Sequence, residues 1–468
     1  MEKNEPHVNN VDSHNCVSGD TRIALMNPDG RVIYTTASYF LRFGVGTTTL
    51  PGWKILSTDG KFVDLINVSV NTGVNHINVI RASHGAIKVT NNQIVPIYRK
   101  QKYMEIPAKD IQKYDCLIEA SLKDMVKEED KLQEINLIDL IPIHSNISIV
   151  VTPKIATLLA NIPINESEED RAKLRERCIK ENISLDNYKL IRDHLADDIN
   201  ENELGLIFKT ATNNIKPIPT KYKLTRKFGR FYGLLYSEGY VTHDSICITN
   251  SDPEIIDFAK TYLAELLHRD KINIHVHPNE CSNIGLCSVL FASLFRNNIL
   301  GFHHGSGNLK LPNWFFFAND EFLKGFLSGV IDGDGSIVPQ SYTRIYTSSE
   351  TFAEDIQAIC SRLGYITSMS IIETKGRIIH IRDKTYTRNF DEYRVTIDNL
   401  DVVDMDIHDS IKARKLNGYT RERKRIVNRT YWNLVHSIEK YDFNNCVYDF
   451  ETSDHYFTTG TQLLHDCR

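Results

Sequence analysis

The sequence predicts a multidomain fold in which an all-β domain, discontinuous in sequence, is interrupted by an α+β insertion of two αββαββα half-units. Three observations lead there. The chain has 468 residues and 41% apolar content, too long for one ordinary core and enough for two or three. Short alternating runs punctuated by turns fill residues 16–120 and return in 431–466, the pattern of strands joined by tight connections. Between them, an apolar helical stretch ending in an acid and a glycine occurs twice. Glu238 and Asp334 lie 96 residues apart, room for one half-unit per copy.

In the β-rich part, strands are expected at 22–25, 31–35, 75–83 and 86–89. Asn27-Pro28-Asp29-Gly30, Thr58-Asp59-Gly60 and Asn91-Asn92 serve as turns. Residues 108–115 read as one helical turn feeding another strand. The pattern resumes at 446–452, 455–459 and 463–464. Residues 1–15 are polar and aperiodic and read as a flank outside the fold. Residues 121–220 carry acid runs among helical stretches such as 168–179, which predicts a solvated helical insertion or linker.

Residues 221–430 form the predicted insertion. Net charge over the chain is −5, so no global basic field points to nucleic acid. Locally the picture differs. Lys221, Lys223, Arg226, Lys227 and Arg230 open the insertion, and a second basic cluster spans 412–425. Residues 375–394 alternate basic and apolar side chains, as strands facing a phosphate backbone would.

Nine cysteines occur without a Cys-x-x-Cys pair, and no signal-peptide apolar region opens the chain. These features predict a soluble intracellular protein with free thiols and no membrane segment. His275, His277, Cys281 and Cys287 fit no standard zinc spacing, and alternate histidines also suit one face of a strand.

Chemistry concentrates first at the two ends. Cys16 opens Cys16-Val17-Ser18-Gly19-Asp20-Thr21. The tail runs Gly460-Thr461-Gln462-Leu463-Leu464-His465-Asp466-Cys467-Arg468. A thiol at one end and His-Asp-Cys at the other suggest two cleavable peptide bonds bracketing everything between. Thiolate is a strong nucleophile near neutral pH, so each cysteine suits acyl transfer. This pairing resembles an intein, a self-excising element with a Hint-type, horseshoe-shaped β domain. Residues 16–120 and 431–466 would then form that domain, between a flank at 1–15 and another at 467–468.

The resemblance implies roles. Cys16 attacks the Asn15 carbonyl to form a thioester, and Cys467 takes the acyl group by transthioesterification. The residue before Cys467 cyclises while His465 polarises its carbonyl or moves the proton. Val447-Tyr448-Asp449-Phe450-Glu451-Thr452 and His455-Tyr456-Phe457 resemble the strand pair before an intein C-terminus. There Asp449 would assist thiol exchange and His455 the cyclisation. Gly85–Gln93 resembles a block that usually reads Thr-x-x-His: Thr90 is present, and Gln93 stands in place of the histidine. A glutamine can donate a hydrogen bond but cannot deliver a proton at neutral pH. Asp466 stands where asparagine normally cyclises. A carboxylate is a poor nucleophile toward an amide, so C-terminal cleavage is expected to be impaired.

The repeated helices carry the second chemistry. Phe231-Tyr232-Gly233-Leu234-Leu235-Tyr236-Ser237-Glu238-Gly239 is echoed by Phe326-Leu327-Ser328-Gly329-Val330-Ile331-Asp332-Gly333-Asp334-Gly335. Gly233, Ser328 and Gly329 permit close helix approach. Gly239 and Gly335 are expected in the left-handed position that ends a helix. Two acids brought together this way invite divalent metal, which can activate water at a phosphodiester. The pattern resembles the LAGLIDADG homing endonucleases. The resemblance implies Glu238 and Asp334 as Mg²⁺-binding catalytic acids and Lys310 and Lys415 as catalytic lysines. It also implies long double-stranded DNA as partner and a monomer, because both half-units lie in one chain. Two alternatives stay open: an autoprocessing domain that cleaves only at Cys16, and a DNA-binding scaffold without cutting activity.

Overall fold

Strand Phe62–Asn71 shows how the sheet is built: Val68 and Val70, on the core face, alternate with half-buried neighbours, and a register shift opposite Glu451 and Thr452 brings Leu65 to the core as well. The structure is a computed structural model. It describes residues 15–152, 182–192, 199–208, 216–268, 273–276, 282–301, 305–339, 341–381, 384–404, 411–412, 416 and 433–466. The chain divides into two compact units. One groups Met1–Lys131, Ser306–Phe317 and Asp334–Arg468; the other groups Leu132–Gly305 and Ala318–Gly333.

In the first unit, a ten-stranded sheet joins both ends of the chain. Its order is Val435–Asp442, His76–Ala82, Gly85–Val89, Val17–Ser18, Val447–Thr452, Phe62–Asn71, Lys54–Leu56, Arg22–Met26 and Val32–Thr36, with Gly46–Thr49 pairing onto Phe62–Asn71. A three-stranded sheet of Lys102–Pro107, Ile94–Arg99 and Cys116–Leu117 and a hairpin of Tyr456–Thr459 with Gln462–His465 complete the β part. One core, including Val17, Leu25, Phe40, Ile80, Val89, Phe450 and Leu464, draws on both sequence segments. The expected strands at 22–25, 31–35, 75–83 and 86–89 agree with the strands observed to within a residue or so at either end.

Helices are labelled in chain order: α1 Leu137–Leu140, α2 Leu185–Ile191, α3 Arg226–Glu238, α4 Pro253–Leu266, α5 Val289–Arg296, α6 Asp320–Asp334, α7 Glu350–Arg362 and α8 Asn399–Asp404. After α3 come two strands, α4, two strands and α5. After α6 come two strands, α7, a strand, an extra hairpin at Ile378–Ile381 and Lys384–Thr387, a last strand and α8.

The described residues of 121–220 differ from the helical expectation. Besides α1 and α2 they form a four-stranded sheet of Asn182–Ser184, Ile147–Val150, Gly205–Phe208 and Ile218–Pro219. Its acids are not all a solvated face: Glu201 lies 2.6 Å from Arg192 and 3.6 Å from Lys221, and against the opposing effect of burial the Arg192 guanidinium, with hydrogen bonds from Tyr188 and Asn136, holds its carboxyl below its usual range. Residues 168–179 lie outside the described residues. Among those described, Cys247, Cys360 and Cys446 are free thiols, and no helix is long and apolar enough to cross a membrane.

In the second unit, α3 starts on the Thr225 cap, whose hydroxyl accepts the Phe228 N–H. It packs against α6 backbone to backbone. A Cβ on Gly229 would lie 2.0 Å from the Phe322 carbonyl oxygen, and one on Gly233 2.2 Å from that of Phe326. From the other side, a Cβ on Gly325 or Gly329 would strike the carbonyls of Arg226 and Arg230. Here glycine serves proximity. The left-handed role expected for Gly239 and Gly335 is not what the structure uses. Gly239 is extended, with φ −104° and ψ 163°, and Gly335 is absent from the positive-φ residues. Each glycine is itself the first residue of a strand, so the chain must extend there at once. Gly239 is still needed, because a Cβ would sit 2.4 Å from the Leu235 carbonyl oxygen.

Within the first unit, α7 docks on the ten-stranded sheet through charge. Asp355 meets Arg22 at 2.6 Å and accepts the Leu311 N–H at 2.8 Å; Glu350 meets Arg81 at 2.9 Å. Lys88 pairs with Asp20 at 2.7 Å. Asp20, Arg22 and Lys88 border a cavity of about 50 Å³ that Glu354, Gln357 and Thr461 also line. Burial pushes the Glu354 carboxyl up to about 7, with Lys88 opposing and Glu350 adding to the rise.

Gly233→Ala should force α3 and α6 apart and cost about 1–3 kcal/mol or more, read as a lower urea midpoint. Glu354 gives a pH-dependent expectation. Its proton is kept in the folded state up to about 7 but is released near 4.5 when the chain unfolds. The folded state therefore binds more protons in that window, and this contribution to stability falls as pH rises through it. Glu354→Gln should flatten the difference between urea midpoints at pH 5 and pH 7.5; parallel profiles for the two proteins would contradict it.

Candidate functional site

Cys16 immediately precedes the two-residue strand Val17–Ser18, which lies between two neighbours: Val17 pairs with Val89 on one side and Tyr448 on the other. Continuing the second register by one residue brings Asp449 opposite Cys16, and directly opposed side chains share a face. Cys16 is fully buried against Val74, Ile77, Val447 and Phe443. Its N–H donates to the Thr90 hydroxyl at 3.0 Å, and the Thr90 N–H donates to the Cys16 carbonyl at 2.9 Å. The nitrogen of the Asn15–Cys16 peptide bond is thus held by Thr90. The Asn71 amide Nδ2 lies 3.6 Å from the Cys16 sulfur.

Gln93 does something else. Its Nε2 donates to the His465 carbonyl at 2.5 Å and to that of Ile94 at 3.0 Å. It reaches the tail strand.

At the tail, His465 and Asp466 are buried at 4% and 1% exposure. His465 Nδ1 lies 2.8 Å from the Asp466 carbonyl oxygen, the carbonyl of the bond to Cys467. An Nδ1–H tautomer would donate to that oxygen and draw electron density from it. The Asp466 carboxylate accepts the Thr452 N–H at 2.8 Å and the Thr452 hydroxyl at 3.1 Å, and its other oxygen lies 3.2 Å from His455 Nδ1. The Asp466 N–H donates to the His455 carbonyl at 2.9 Å. The two imidazoles stack, with centroids 5.9 Å apart and planes at 6°. His455 holds φ of 67°, a left-handed conformation that costs a non-glycine residue about 1–2 kcal/mol; the contacts to Asp466 keep it there.

The helix ends place the second set. Glu238 closes α3 and Asp334 closes α6. Asp334 is exposed and Glu238 half-buried. Asp332, two residues earlier, is committed elsewhere: it is buried and meets Arg230 at 3.0 Å, and that guanidinium also lies over the Phe258 ring. Of the two acids in the last turn of α6, Asp334 is the one presented to solvent. Gly333 clears space beside Glu238, since a Cβ there would fall 2.9 Å from Glu238 Cγ. Lys310 sits between Leu309, whose carbonyl accepts the Ser349 hydroxyl, and Leu311, pinned to Asp355. Cys467 and Lys415 lie outside the described residues, as do His277, Cys281 and most of the 412–425 basic cluster.

Three contributors were not read from the sequence: Asn71 beside the sulfur, and the Thr452 amide and hydroxyl on Asp466. Each is an ordinary strand residue, and nothing local marks it; only pairing with a distant segment makes it part of a site.

Residues 321–398 match the LAGLIDADG-like domain, and the chain carries that domain there. Over 217 residues it is 26% identical to the DNA-directed RNA polymerase subunit Rpo1C of Methanocaldococcus jannaschii, a match covering 46% of this chain and 24% of that relative. The chain thus spans about a quarter of the length of that protein. Among solved structures, variants of the homing endonuclease I-DmoI match at 14% identity with a TM-score of 0.28, covering 39% of this chain and 93% of theirs. A mini-intein from transcription factor IIB matches at 13% identity with a TM-score of 0.19, covering 22% of this chain and 66% of its own. Both kinds of protein that the sequence resembles, inteins and LAGLIDADG homing endonucleases, are among the matches.

Proposed function

We propose that this chain is an intein that excises itself by protein splicing and carries a site-specific double-strand DNA endonuclease. The observation that carries the reading is His465 Nδ1 at 2.8 Å from the carbonyl oxygen of Asp466, in the same compact unit as Cys16. Residues 16–120 and 431–466 make the Hint-type domain, 121–220 a linker, and 221–430 the endonuclease. Residues 1–15 and 467–468 are the flanks to be joined. A match confined to a quarter of an RNA polymerase subunit is what an element inserted in a larger protein would give.

In this reading the Cys16 thiolate attacks the Asn15 carbonyl carbon. The Asn15–Cys16 bond breaks as its nitrogen, held by Thr90, takes a proton and leaves as the amine. Asp449, opposite Cys16, assists the exchange that passes the acyl group to Cys467. His465 polarises the Asp466 carbonyl, and His455 and Thr452 hold the Asp466 side chain. Once the bond to Cys467 is cut, the Cys467 amine attacks the thioester, and an amide joins Asn15 to Cys467. The cut is the weak step. The Asp466 carboxylate already accepts three contacts and is a poor nucleophile toward its own amide. That same observation favours a second reading, cleavage at Cys16 without ligation.

For the endonuclease, Glu238 and Asp334 would hold divalent metal. The donors fit a hard cation such as Mg²⁺: two carboxylates at the C-terminal ends of helices, where the dipole also favours positive charge. Among the described residues no group of three His, Cys, Asp or Glu is placed to hold a metal, so phosphate and water oxygens would complete the shell. The bound ion would supply water activation and charge stabilisation at the phosphodiester. Basic strands would track the backbone and read the major groove of a long DNA site. Lys310 and Lys415 would stabilise phosphate charge, and one chain would suffice.

Two measurements test these readings. The chain would be expressed between two folded reporter proteins and the products weighed by mass spectrometry. Asp466→Asn is expected to give joined reporters and a free 16–466 fragment, while the parent stalls with the downstream reporter attached. Upstream release alone in both proteins would favour the cleavage-only reading. For the nuclease, Asp334→Ala should lower Mg²⁺-dependent cutting of the cognate DNA by at least about 100-fold with an unchanged circular-dichroism spectrum. Undiminished cutting would remove Asp334 from the site.

A further inference from the structure

The Cys16 sulfur occupies an apolar nest. Val74, Ile77 and Val447 are buried around it, and Phe443 closes one side. Such surroundings disfavour thiolate, and the thiolate is the nucleophile. The amide of Asn71 approaches from the end of strand Phe62–Asn71, with Nδ2 3.6 Å from the sulfur, within range for a donor to sulfur. Its position is fixed by the sheet: Asn71 pairs with Val447, one strand over from Cys16. An N–H donor aimed at sulfur favours the charged form and orients a sulfur lone pair.

We infer that Asn71 is a positioning residue for the upstream acyl shift, holding the Cys16 sulfur by an amide N–H and stabilising its thiolate inside the apolar nest. The role rests on the splicing reading. Asn71 makes and breaks no covalent bond. Cys16 loses its thiol proton to solvent or base, its sulfur bonds to the Asn15 carbonyl carbon, and the Cys16 nitrogen leaves as an amine. Thr90 and Asn71 thus divide the upstream junction between them. The hydroxyl holds the nitrogen that leaves, and the amide holds the sulfur that arrives.

The test uses the full chain behind a folded reporter. Cleavage by excess dithiothreitol, whose thiolate attacks the Cys16 thioester and frees the reporter, would be followed from pH 6 to 9.5. The parent rate should rise with pH to a plateau. Asn71→Ala should move the midpoint of that rise upward by about one pH unit, making cleavage at neutral pH roughly tenfold slower, with the plateau retained. Asn71→Asp, which replaces the donor by a negative acceptor of the same shape, should move it further. Unchanged midpoints in both variants would overturn the role, and so would a uniform rate loss at every pH, which is the mark of a merely structural residue. A parent that shows no thiol-dependent cleavage at any pH would overturn the splicing reading itself, and the role with it.

Discussion

Two residues of backbone, Val17 and Ser18, hold the β domain together at its junction. They pair with Gly85–Val89 on one side and Val447–Thr452 on the other, closing a loop of more than four hundred residues. So short a strand contributes few ladder bonds of its own, and loop closure on that scale carries an entropic cost. The compensation comes from burial: Val17, Val89, Tyr448 and Phe450 share one core, and Cys16 sits in a satellite of it. Slippage of this register by one residue would turn Cys16 to the opposite face, away from Thr90 and Asn71 together.

The tail is anchored by the same kind of economy. Gln93 reaches the His465 carbonyl, Thr452 reaches the Asp466 carboxylate, and Ala120 donates its N–H to the Thr461 carbonyl. Residues next to a proposed scission point are therefore held by donors from three separate segments. That rigidity suits a reaction in which a side chain must meet its own carbonyl. In the proposed splicing the identity of residue 466 weighs heavily for the same reason: its surroundings are held in place, and cyclisation would depend on its own side chain.

Much of this was legible in the sequence, and the physical reason is locality. Cys16, the His465-Asp466-Cys467 tail and the paired helices announce themselves through contiguous residues, and period-two runs gave most strands of the β part. What could not be read depends on partners far along the chain. Gln93 stands in place of the histidine of a Thr-x-x-His block, and only the fold shows it engaged at the tail. Asn71 and Thr452 are polar strand residues until the sheet brings them to Cys16 and Asp466. Glycine misled in a specific way: Gly239 was expected for its left-handed freedom and is needed for clearance, since a following strand dictates extended backbone. Acid runs in 121–220 suggested a solvated helix, whereas Glu201 serves as counter-ion to Arg192 and Lys221.

The charged face of α7 has a consequence for how such a chain could change over time. Asp355 and Glu350 belong to the LAGLIDADG-like domain, and their partners Arg22 and Arg81 belong to the β sheet. Deleting residues 321–398 would leave these guanidiniums without their counter-ions, with Arg22 still beside the Tyr34 ring. The LAGLIDADG-like segment and the β sheet are thus tied by ion pairs as well as by peptide bonds, and removing one would leave unpaired charge on the other.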